Sequence, residues 1–556
     1  MAAVGYRALP ALEIDGEKAP QNLLDDILQV CVEESLHRPG MFMLVIQNDY
    51  FPGQEHDKPW RYKDLLQIGK TLKLGFSSSI TESQSPSEEK PGTVLEGEIT
   101  AIETYFSEGS QAPVIVRGYD VSHRLHRGRH NRSFQNMTDS DIVKKIAAEV
   151  GIKTNAIDSS GSPHDYVFQE NQTNMEFLRE RAARTGFELF VQNGKLNFRK
   201  SKADGQELSL KWLQNLRSFR VRMTTAEQVK SVEVRAWDYS QKQPIISTAE
   251  TAKIITTTDN GKGSETSTKF NGKPEKPTLV VVDRPFFNPK EADIMAQALC
   301  DELQGQFVQA DAKAEGDPQI RVGRVVKLEG MGQYDGKYYI TETRHSYQER
   351  AYSTEFSVRG LREGDLLTAL SAQTRRSPGE TLLVGIVTDN EDPEGWGRVK
   401  VKLPTLTEDH TSNWARVVSI GAGDRRGFDC LPEINDEVLV GFEHGDIHRP
   451  YIIGGVWNGK DAPPTEVKHS VQNGKVRLRT FKTRTGHQIQ FVEEDNGDRQ
   501  KGVYVETNGG HKLHLNDSDG SVTVSSTGNL KIEAKGNIDI SATGEITIKG
   551  AFIRLN

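Results

Sequence analysis

Apolar and polar positions alternate most regularly near the end of the chain, from Gly520 to Asn556. Glycine recurs there at every eighth position, at Gly520, Gly528, Gly536 and Gly544. Large aliphatic residues stand two and four places after each glycine, at Val522, Val524, Leu530, Ile532, Ile538, Ile540, Ile546 and Ile548. The residues between them are polar, and a period of two places the aliphatic side chains on one face of a strand. Each octad therefore predicts one short strand.

The octads also predict association between chains. One octad cannot bury its own apolar face, so units repeated at a fixed period stack on one another. Four strands from one chain would still make a thin core, and this favours three copies wound into an intertwined triple-stranded β-helix. The alternative is an antiparallel meander packed on a neighbouring domain. The octads lack the Asn-Gly signal of hairpins between them, which argues against a meander.

Similar alternation through most of the chain predicts a mainly β protein with a small helical insert. Strands are predicted through most of residues 1–115 and 201–370, with a mixed helical insert over 116–200 between them. A hairpin is predicted at Asn193-Gly194. Helical spacing of apolar residues predicts helices over Leu24–Val32, from a cap at Thr138 or Asp139 to Gly151, over Asn174–Thr185, and over Pro289–Gln304.

The C-terminal third divides into a barrel and a spike. Residues 371–381 have the composition of a linker, and 382–459 contain five short strands separated by Asp, Gly and Pro, as in a five-stranded barrel. A polar connection over 460–484 leads into the predicted spike, 485–556, which starts with a Gly-His-x-apolar-x-apolar segment that occurs twice. Residues 76–92, rich in Ser, Glu and Pro, are predicted to be an exposed loop, and residues 256–276, rich in Gly, Thr, Ser and Lys, a mobile stretch.

Composition excludes several classes of protein. The net charge of -8 and the pI near 6.0 give no electrostatic case for binding nucleic acid. Cys31, Cys300 and Cys430 are far apart and form no CxxC pair, as expected for reduced thiols in a cytoplasm. The N-terminal segment lacks the pattern of a signal peptide, and no apolar run is long enough for a membrane helix.

Few residues suggest catalysis or metal binding. His123, His126 and His130 have a spacing possible for ligands, but the arginines among them disfavour a bound cation, and a basic surface facing partner proteins is predicted instead. The sequence contains no GxSxG, HExxH or GxxxxGK[ST] motif. We therefore predict no enzyme activity, no catalytic residue, no cofactor and no metal site. The acids of two turns are predicted to be solvated: Asp389, Glu391, Asp392, Glu493, Glu494 and Asp495. Trp396 and Trp414 are predicted to be core residues beside glycine turns, with stacking aromatics as the alternative, and Trp457 is assigned to packing.

Three stretches carry a resemblance to a known family. The barrel sequence VGIVTDNEDPEGWGRVKVKLP and the following WARVVSIGAGDRRGFDCLPEINDEVLVGFEHGDIHRPYIIGGVWNG resemble the OB-fold domain of baseplate spike proteins. The stretches VRGYDVSHRLHRGRHNRSFQNMTDSDIVKKIAAEVGI and NQTNMEFLRERAARTGFELFVQNGKLNFRK resemble the hub of the phage late-control protein D family. With the octads included, the chain is similar over nearly its whole length to VgrG spike proteins of type VI secretion and extracellular contractile injection systems.

This resemblance implies a homotrimeric spike and symmetry adaptor. By the same resemblance each chain has two similar β-barrel-like hub domains, within residues 1–115 and 201–370. Three chains would then present six sites to a hexameric inner tube, and the β-helix would puncture a target membrane. Baseplate proteins and a PAAR-like tip protein are the other implied partners. The tip protein would dock on the last residues, Phe552, Ile553, Arg554, Leu555 and Asn556.

The resemblance leaves the kind of machine open. The short octad region favours an extracellular or phage-like contractile system. One alternative is a type VI spike or phage hub that carries effectors, and another is a lysin that cuts the cell wall. A carbohydrate-binding adhesin is a third class. As part of a contractile injection system, the protein would assemble in the cytoplasm and act in an injection particle that is released or fired from the cell.

Overall fold

The computed structural model separates the chain into two compact units. The first contains residues 1–238 and 243–455, and the second contains 239–242 and 456–556. The structure describes residues 9–50, 59–77, 92–106, 112–203, 205–238, 241, 243–270, 276–282, 289–360, 381–409, 411–443, 447, 449–497 and 499–554. The predicted linker at 371–381 and the predicted loop at 76–92 therefore fall almost entirely outside the described residues.

The first half of the hub is an antiparallel β structure with one short helix. Its apolar residues alternate along most strands, so that one face of the sheet packs into a core around Phe42, Leu44 and Leu74. The elements are β1 (Leu9–Ile14), β2 (Glu17–Lys18), α1 (Gln21–Asp25), β3 (Ile27–Ser35), β4 (Met41–Ile46), β5 (Thr71–Ser77), β6 (Gly92–Thr104) and β7 (Val114–Asp120).

The helix predicted over Leu24–Val32 is wrong. The short α1 ends at Asp25, and Ile27–Ser35 forms β3, which is paired on both sides by other strands. Val30, Cys31 and Val32 are all buried, so this strand has a continuous apolar run instead of an alternating one. Such a run cannot be told from a buried helix by periodicity alone.

The insert forms its own small core. Thr138 caps its first helix by accepting from the backbone N–H of Asp141, as predicted, and Thr173 forms a capping box with Glu176 at the start of the second. Besides a 3-10 turn at Val121–His126, the elements are β8 (His130–Met137), α2 (Asp139–Glu149), β9 (Lys153–Ile157), β10 (His164–Gln172), α3 (Asn174–Thr185), β11 (Phe187–Gln192) and β12 (Lys195–Lys200).

The hairpin predicted at Asn193-Gly194 is confirmed. Strands β11 and β12 pair in register up to Gln192 and Lys195, and the two turn residues both have positive φ, 50° and 68°. Two consecutive residues with positive φ are characteristic of a type I′ turn, whose twist matches that of the flanking strands. Asn and Gly are the residues preferred at these two positions, which explains the sequence of the turn.

The second half of the hub contains further antiparallel strands and a long helix at the position predicted over Pro289–Gln304. The segment 256–276, predicted to be mobile, contains a short strand and a short helix where it is described. The elements are β13 (Leu208–Lys211), β14 (Leu216–Met223), β15 (Ser231–Asp238), β16 (Gln243–Ala249), β17 (Thr257–Thr258), α4 (Gly263–Thr266), β18 (Thr278–Val281), α5 (Pro289–Gly305), β19 (Val308–Glu315), β20 (Val325–Glu329), β21 (Gly336–Tyr339), β22 (Glu342–Gln348) and β23 (Ala351–Val358).

The two halves of the hub share one sheet. Strand β22 of the second half pairs antiparallel with β3 of the first, with Ser346 opposite Cys31. The resulting 11-stranded sheet has the order β14-β19-β23-β22-β3-β4-β7-β6-β5-β1-β2. The two halves are therefore joined by a backbone ladder as well as by side-chain packing.

A buried ion pair, the Arg321–Glu34 clamp, crosses this junction. The guanidinium of Arg321 donates to both carboxylate oxygens of Glu34, with an Nη2–Oε1 distance of 2.6 Å, and to the carbonyl of Thr93 at 2.6 Å. The two charged side chains are 7% and 6% exposed. Because an unpaired charge would be costly at this depth, the clamp fixes how the two halves meet.

A buried histidine lies close to the clamp. His345 Nε2 is 3.1 Å from the carbonyl oxygen of Ile320, which can only accept, so Nε2 carries the proton. Nδ1 then accepts from the hydroxyl of Tyr352 at 2.8 Å, and the hydroxyl oxygen of Thr354 lies 3.1 Å from the same atom. Tyr352 also stacks on Phe76 of the first half with ring centroids 4.2 Å apart. The hydrogen bonds therefore suit a neutral imidazole.

We expect this histidine to make the hub sensitive to acid. Burial, and then the nearby positive charge of Arg321, lower the pKa of His345 to about 3 from its ordinary value of 6.5. The unfolded chain binds this proton below about pH 6.5, but the folded chain does not bind it until about pH 3. The free energy of unfolding should therefore fall with decreasing pH in this window, by up to about 1.4 kcal/mol for each pH unit.

Denaturant titrations of the wild type and of His345→Gln between pH 7 and pH 4 would measure this contribution. Glutamine keeps a donor and an acceptor but does not titrate. The variant should be less stable at neutral pH and should lose stability less steeply on acidification. Parallel curves for the two proteins would contradict the assignment.

The predicted five-stranded barrel forms the end of the first unit. Its core is built around Val387, Val401 and Val440, which are fully buried. Its five strands coincide with the predicted segments: β24 (Leu383–Asp389), β25 (Lys400–Lys402), β26 (Arg416–Val417), β27 (Glu437–Phe442) and β28 (Pro450–Gly455). The sheet order is β25-β24-β27-β28-β26. The mainly β fold predicted from the sequence, with its small insert and barrel, is confirmed.

The secondary structure of the second unit starts with a short helical segment and continues as an antiparallel meander. The first strands of this unit therefore lie within residues 460–484, which were predicted to be a polar connection. No helix in the described parts of the chain is apolar and long enough to cross a membrane. The elements of this unit are α6 (Val467–Ser470), β29 (Val471–Gln472), β30 (Lys475–Val476), β31 (Leu478–Lys482), β32 (Gln488–Val492), β33 (Gly502–Glu506), β34 (Lys512–Asn516) and β35 (Ser521–Ser525).

Candidate functional site

Strands β31 to β35 form a meander in which each strand pairs with the next. The register aligns two rows of residues across all five strands. One row runs from Phe481 through Ile489 to Val524, and the other from Arg479 through Phe491 to Val522. Directly opposed residues of an antiparallel sheet share a face, so both rows lie on the same side.

This side of the meander, which we call the apolar face, is open to solvent. Seven of its nine apolar side chains are exposed and two are half-buried. Monomeric proteins rarely leave contiguous apolar patches of this kind open to water. The members of the apolar face are Phe481, Ile489, Phe491, Val503, Val505, Leu513, Leu515, Val522 and Val524.

The opposite side of the meander is closed by the chain itself. Leu478, Val492 and Tyr504 form its small core. Arg477 is buried beside them and donates to three carbonyl groups of the turn between β32 and β33, with distances of 2.8, 3.0 and 2.8 Å. The meander is therefore a one-sided sheet, with a completed side and an open apolar side.

Polar contacts on the completed side hold β33 and β34 in place. Glu506 accepts from Arg499 at 2.7 Å and from Gln488 at 2.6 Å, and His514 Nε2 lies 2.8 Å from its other oxygen. These contacts, with the Arg499 hydrogen bond as the largest cause, lower the pKa of Glu506 to about 2. His511 takes part in a separate contact, because its Nδ1 lies 3.1 Å from Ser526 Oγ.

The octads continue from the meander. The first octad forms β35, the last strand of the meander, but residues 526–554 contain no strand within a single chain. The later octads therefore do not form strands by pairing within the described part of one chain. Their strands stay a prediction for an assembled state. All eight predicted core aliphatics are between 49% and 72% exposed: Val522, Val524, Leu530, Ile532, Ile538, Ile540, Ile546 and Ile548.

The glycines that separate the octads lie in open surroundings. Gly520 has a φ of 70°, which suits the turn between β34 and β35, and nothing lies within 4 Å of a methyl group built on Gly528, Gly536 or Gly544. Close packing around these three glycines therefore stays a prediction for the assembled state as well.

The predicted tip-docking residues lie at the end of the described chain. Phe552 is 91% exposed, and Ile553 and Arg554 are also exposed. Leu555 and Asn556 lie outside the described residues. The described part of this segment is thus accessible to a partner.

The histidine-rich segment of the insert is largely charge-balanced. His123 Nε2 lies 2.6 Å from a carboxylate oxygen of Glu98, and Arg124 pairs with the other oxygen of the same group. Further along, Arg129 pairs with Glu176 at 3.1 Å and Arg132 with Glu149 at 2.5 Å. The structure thus places acids beside residues that were predicted to form a basic surface. Within the described ranges, no group of three or more His, Cys, Asp or Glu side chains is placed to hold a metal ion.

Three predictions for side chains in and after the barrel are wrong. Asp392 is not solvated: its side chain is 3% exposed, and it accepts from Arg398 Nη2 at 2.6 Å and from backbone N–H groups of its own turn. The hydrogen bond from Arg398 lowers the pKa of Asp392 far below its usual range. Trp396 is an exposed ring beneath the Arg398 guanidinium, and Trp457 of the second unit is exposed as well, so neither is a core residue.

Sequence reasoning missed much of the apolar face. The octads identified only Val522 and Val524 of its nine members. A signal was present in the repeated Gly-His-x-apolar-x-apolar segments that begin at Gly486 and Gly510, since each supplies two members of the face. The pairing that unites these segments with the first octad could not be deduced from spacing alone.

Comparisons with known proteins match two parts of the chain. The family described as the type VI secretion system/phage-baseplate injector OB domain matches residues 383–457, which contain the five-stranded barrel. The family described as the Alg8 N-terminal domain matches residues 84–349.

Curated relatives include spike proteins of type VI secretion systems. The type VI secretion system spike protein VgrG1a of Pseudomonas aeruginosa is 28% identical over 155 residues, 27% of this chain and 24% of the relative. The type VI secretion system spike protein VgrG3 of Vibrio cholerae is 21% identical over 411 residues, 67% of this chain and 38% of the relative. The chain thus matches less than half the length of either relative. Among solved structures, the 43 kDa tail protein of prophage MuSo2 from Shewanella oneidensis aligns with a TM-score of 0.47 and 16% identity, covering 64% of this chain and 98% of that protein.

The injector OB match and the spike relatives make the chain similar to spike proteins of the type VI secretion and phage-baseplate class. Within that class its sequence resembles those of the VgrG spikes. The resemblance to the VgrG and baseplate spike family that the sequence predicted is therefore confirmed, as is the OB domain.

Proposed function

We propose that this protein is the homotrimeric central spike of a contractile injection system. The observation that carries the proposal is the apolar face of the meander, which runs directly into octads whose aliphatic residues are also exposed. Three copies placed with these surfaces toward a common axis would cover both. The open side would then become the interior of an intertwined β-helix, while the side closed by Arg477 would face outward.

Burial on this scale supplies ample free energy for association. A Val, Leu or Ile side chain that passes from full exposure to full burial contributes about 1.5–3 kcal/mol. At half of that contribution, the octad aliphatics of three chains would supply about 18–36 kcal/mol. The entropic cost of two association steps is about 8–30 kcal/mol. Strands of the octads would pair with those of the other copies, so that their backbone groups are satisfied and no edge is left along the sides.

The hub would serve as the adaptor to a hexameric inner tube. Each half of the hub supplies antiparallel strands to the shared sheet, and three chains would bring six such halves together. The Arg321–Glu34 clamp and the β3–β22 ladder would transmit load between the halves. At the other end, Phe552 and Ile553 would dock a PAAR-like tip protein, and baseplate proteins would hold the assembly before it meets a target membrane.

We infer a mechanical role without catalysis. In this proposal the protein assembles in the cytoplasm, acts within a released or fired particle, and binds neither metal nor cofactor. Incubation of the purified protein with peptidoglycan sacculi should release no soluble fragments. Release above that of a heat-denatured sample would favour the lysin alternative.

Sedimentation equilibrium of the purified full chain tests the proposal directly. The expected mass is three times the 62.0 kDa of one chain. The trimer should also sediment together with preformed rings of the inner tube protein, at a ratio of three chains per hexamer. A monomer at micromolar concentration would overturn the proposal.

A further inference from the structure

The loop between the first two strands of the OB domain displays a tryptophan on its surface. Trp396 lies between Gly395 and Gly397, whose φ angles of 68° and 71° are in the region that favours glycine. Asp392 accepts from the backbone N–H groups of Trp396 at 2.9 Å and of Arg398 at 3.2 Å. The indole carried by this loop is 72% exposed. Hydrogen bonds of the loop, instead of packing in a core, therefore hold the ring in position.

Charged side chains lie beside this ring and a second one. The guanidinium of Arg398 lies over Trp396, with its Cζ 4.7 Å from the ring centroid, and the same Cζ is 5.7 Å from the centroid of the Trp414 ring. Lys400 Nζ lies 4.6 Å from the Trp414 centroid. Since the guanidinium covers one face of Trp396 and the ring is largely exposed, its other face is open to solvent.

These side chains share the outer face of the barrel. Val399 and Ala415, which precede β25 and β26, form a bridge and are fully buried, so their neighbours in sequence point away from the core. On β26, Arg416 lies over the ring of Tyr451 at 5.3 Å and donates to its hydroxyl at 2.9 Å. We call this surface the aromatic row, and its members are Trp396, Arg398, Lys400, Trp414, Arg416 and Tyr451.

The charges of the aromatic row are balanced by acids. Arg398 pairs with Asp392 at 2.6 Å, and Lys400 lies 3.8 Å from Asp389. Two glutamates of the same loop are exposed beside them. A strand of nucleic acid or another polyanion is held mainly by a surplus of cations that neutralise its phosphates. The aromatic row therefore suits an uncharged ligand better than a polyanion.

We propose that the aromatic row binds an uncharged oligosaccharide. A pyranose ring presents C–H groups on its flat faces and hydroxyl groups around its rim. The open face of the Trp396 indole would stack on a sugar face, and the charged groups beside it would hydrogen-bond to the hydroxyls. The core of a protein interface, by contrast, is depleted of charged residues, whereas here charged groups lie between the rings.

The place of the aromatic row in the fold agrees with this class of ligand. Strands β25 and β26 are the second and third strands of the OB domain, and Trp396 lies in the loop before β25. In OB folds of unrelated function, this face and this loop bind oligosaccharides or oligonucleotides. The fold alone does not choose between the two, but the exposed ring and the balanced charges favour the sugar.

Saturation-transfer NMR on the full-length protein tests the proposal with three uncharged probes, maltohexaose, cellohexaose and chitohexaose. We expect at least one of them to receive saturation from the protein, and a titration of the same signal gives its dissociation constant. Trp396→Ala should weaken binding at least about tenfold, because it removes the stacked ring. Trp396→Tyr keeps an aromatic face and should retain most of the affinity.

Trp457→Ala is the matched control. Its ring is 66% exposed but belongs to the second unit, so this variant should bind the sugar as tightly as the wild type. Circular dichroism should show both alanine variants folded, since each replaces an exposed side chain. Equal losses of affinity in Trp396→Ala and Trp457→Ala would place the sugar elsewhere and would overturn the assignment.

Three other results would also overturn it. These are the absence of transfer to all three sugars, an unchanged affinity in Trp396→Ala, and binding of an oligothymidylate by a wild type that binds none of the sugars. The inference does not depend on the proposed trimer. A monomeric wild type that binds a sugar through Trp396 would overturn the proposed function and leave this inference standing.

Discussion

Replacement of both Ile538 and Ile540 by aspartate is expected to convert the trimer into monomers. The two residues belong to the third octad and are both exposed in the single chain. In the proposed β-helix they would face the axis, so three chains would bring six carboxylates into one apolar interior. Burial of unpaired charges costs several kcal/mol for each group, which exceeds what the neighbouring aliphatics contribute.

The change should be visible as a shift of the sedimenting mass to that of one chain, with the hub still folded by circular dichroism and thermal melting. A variant with Ser541→Asp and Thr547→Asp is the matched control, because these positions lie on the polar side of the third and fourth octads. It adds the same charge and should remain a trimer. If both variants stay trimeric, the octads do not form the axis.

The second large effect is expected at the hub junction. Replacing Arg321 by alanine should destabilise the first unit by about 3–5 kcal/mol, because it leaves the Glu34 carboxylate buried without its partner. The same change removes the hydrogen bond to the Thr93 carbonyl. Urea titration followed by tryptophan fluorescence would report the loss as a lower midpoint.

Lys313→Ala provides the control for Arg321→Ala. Lys313 pairs with Glu355 at 3.0 Å in the same sheet, but both side chains are 44% exposed. An exposed ion pair of this kind contributes about 0–1 kcal/mol. Comparable losses for the two variants would mean that the clamp is no more important than a surface pair, and that the halves are held by the backbone ladder and packing.

The sequence predicted correctly those elements whose structure is determined by residues close to one another in the chain. The cap at Thr138, the helix over Asn174–Thr185 and the Asn193-Gly194 turn depend on interactions within a few residues, and each is found where it was predicted. Strand β3 was misassigned because its character depends on pairing with β4 and β22 on either side. Spacing along the chain carries no information on such partners.

In the candidate site, too, residues that belong to a local pattern were predicted and residues placed by strand pairing were not. Periodicity identified the octad aliphatics, since an eightfold repeat with alternate apolar positions is a local pattern. It did not identify Phe481 or Phe491, whose place on the apolar face follows from the meander register. The exposure of Trp396 was also missed, because a tryptophan near glycine turns has the same sequence whether it packs inward or lies beneath an arginine.

The β3–β22 ladder has a consequence for biosynthesis. Arg344 and Cys31, which touch across this junction, are separated by 313 positions in the chain. At translation speeds of about 5–20 residues per second, the ribosome needs roughly 15–60 s to make the second partner after the first has emerged. During that interval a central strand rich in apolar residues remains without its neighbour on one side. Nascent hub chains should therefore depend on chaperones that shield unpaired strands, and premature termination before residue 342 should yield aggregates.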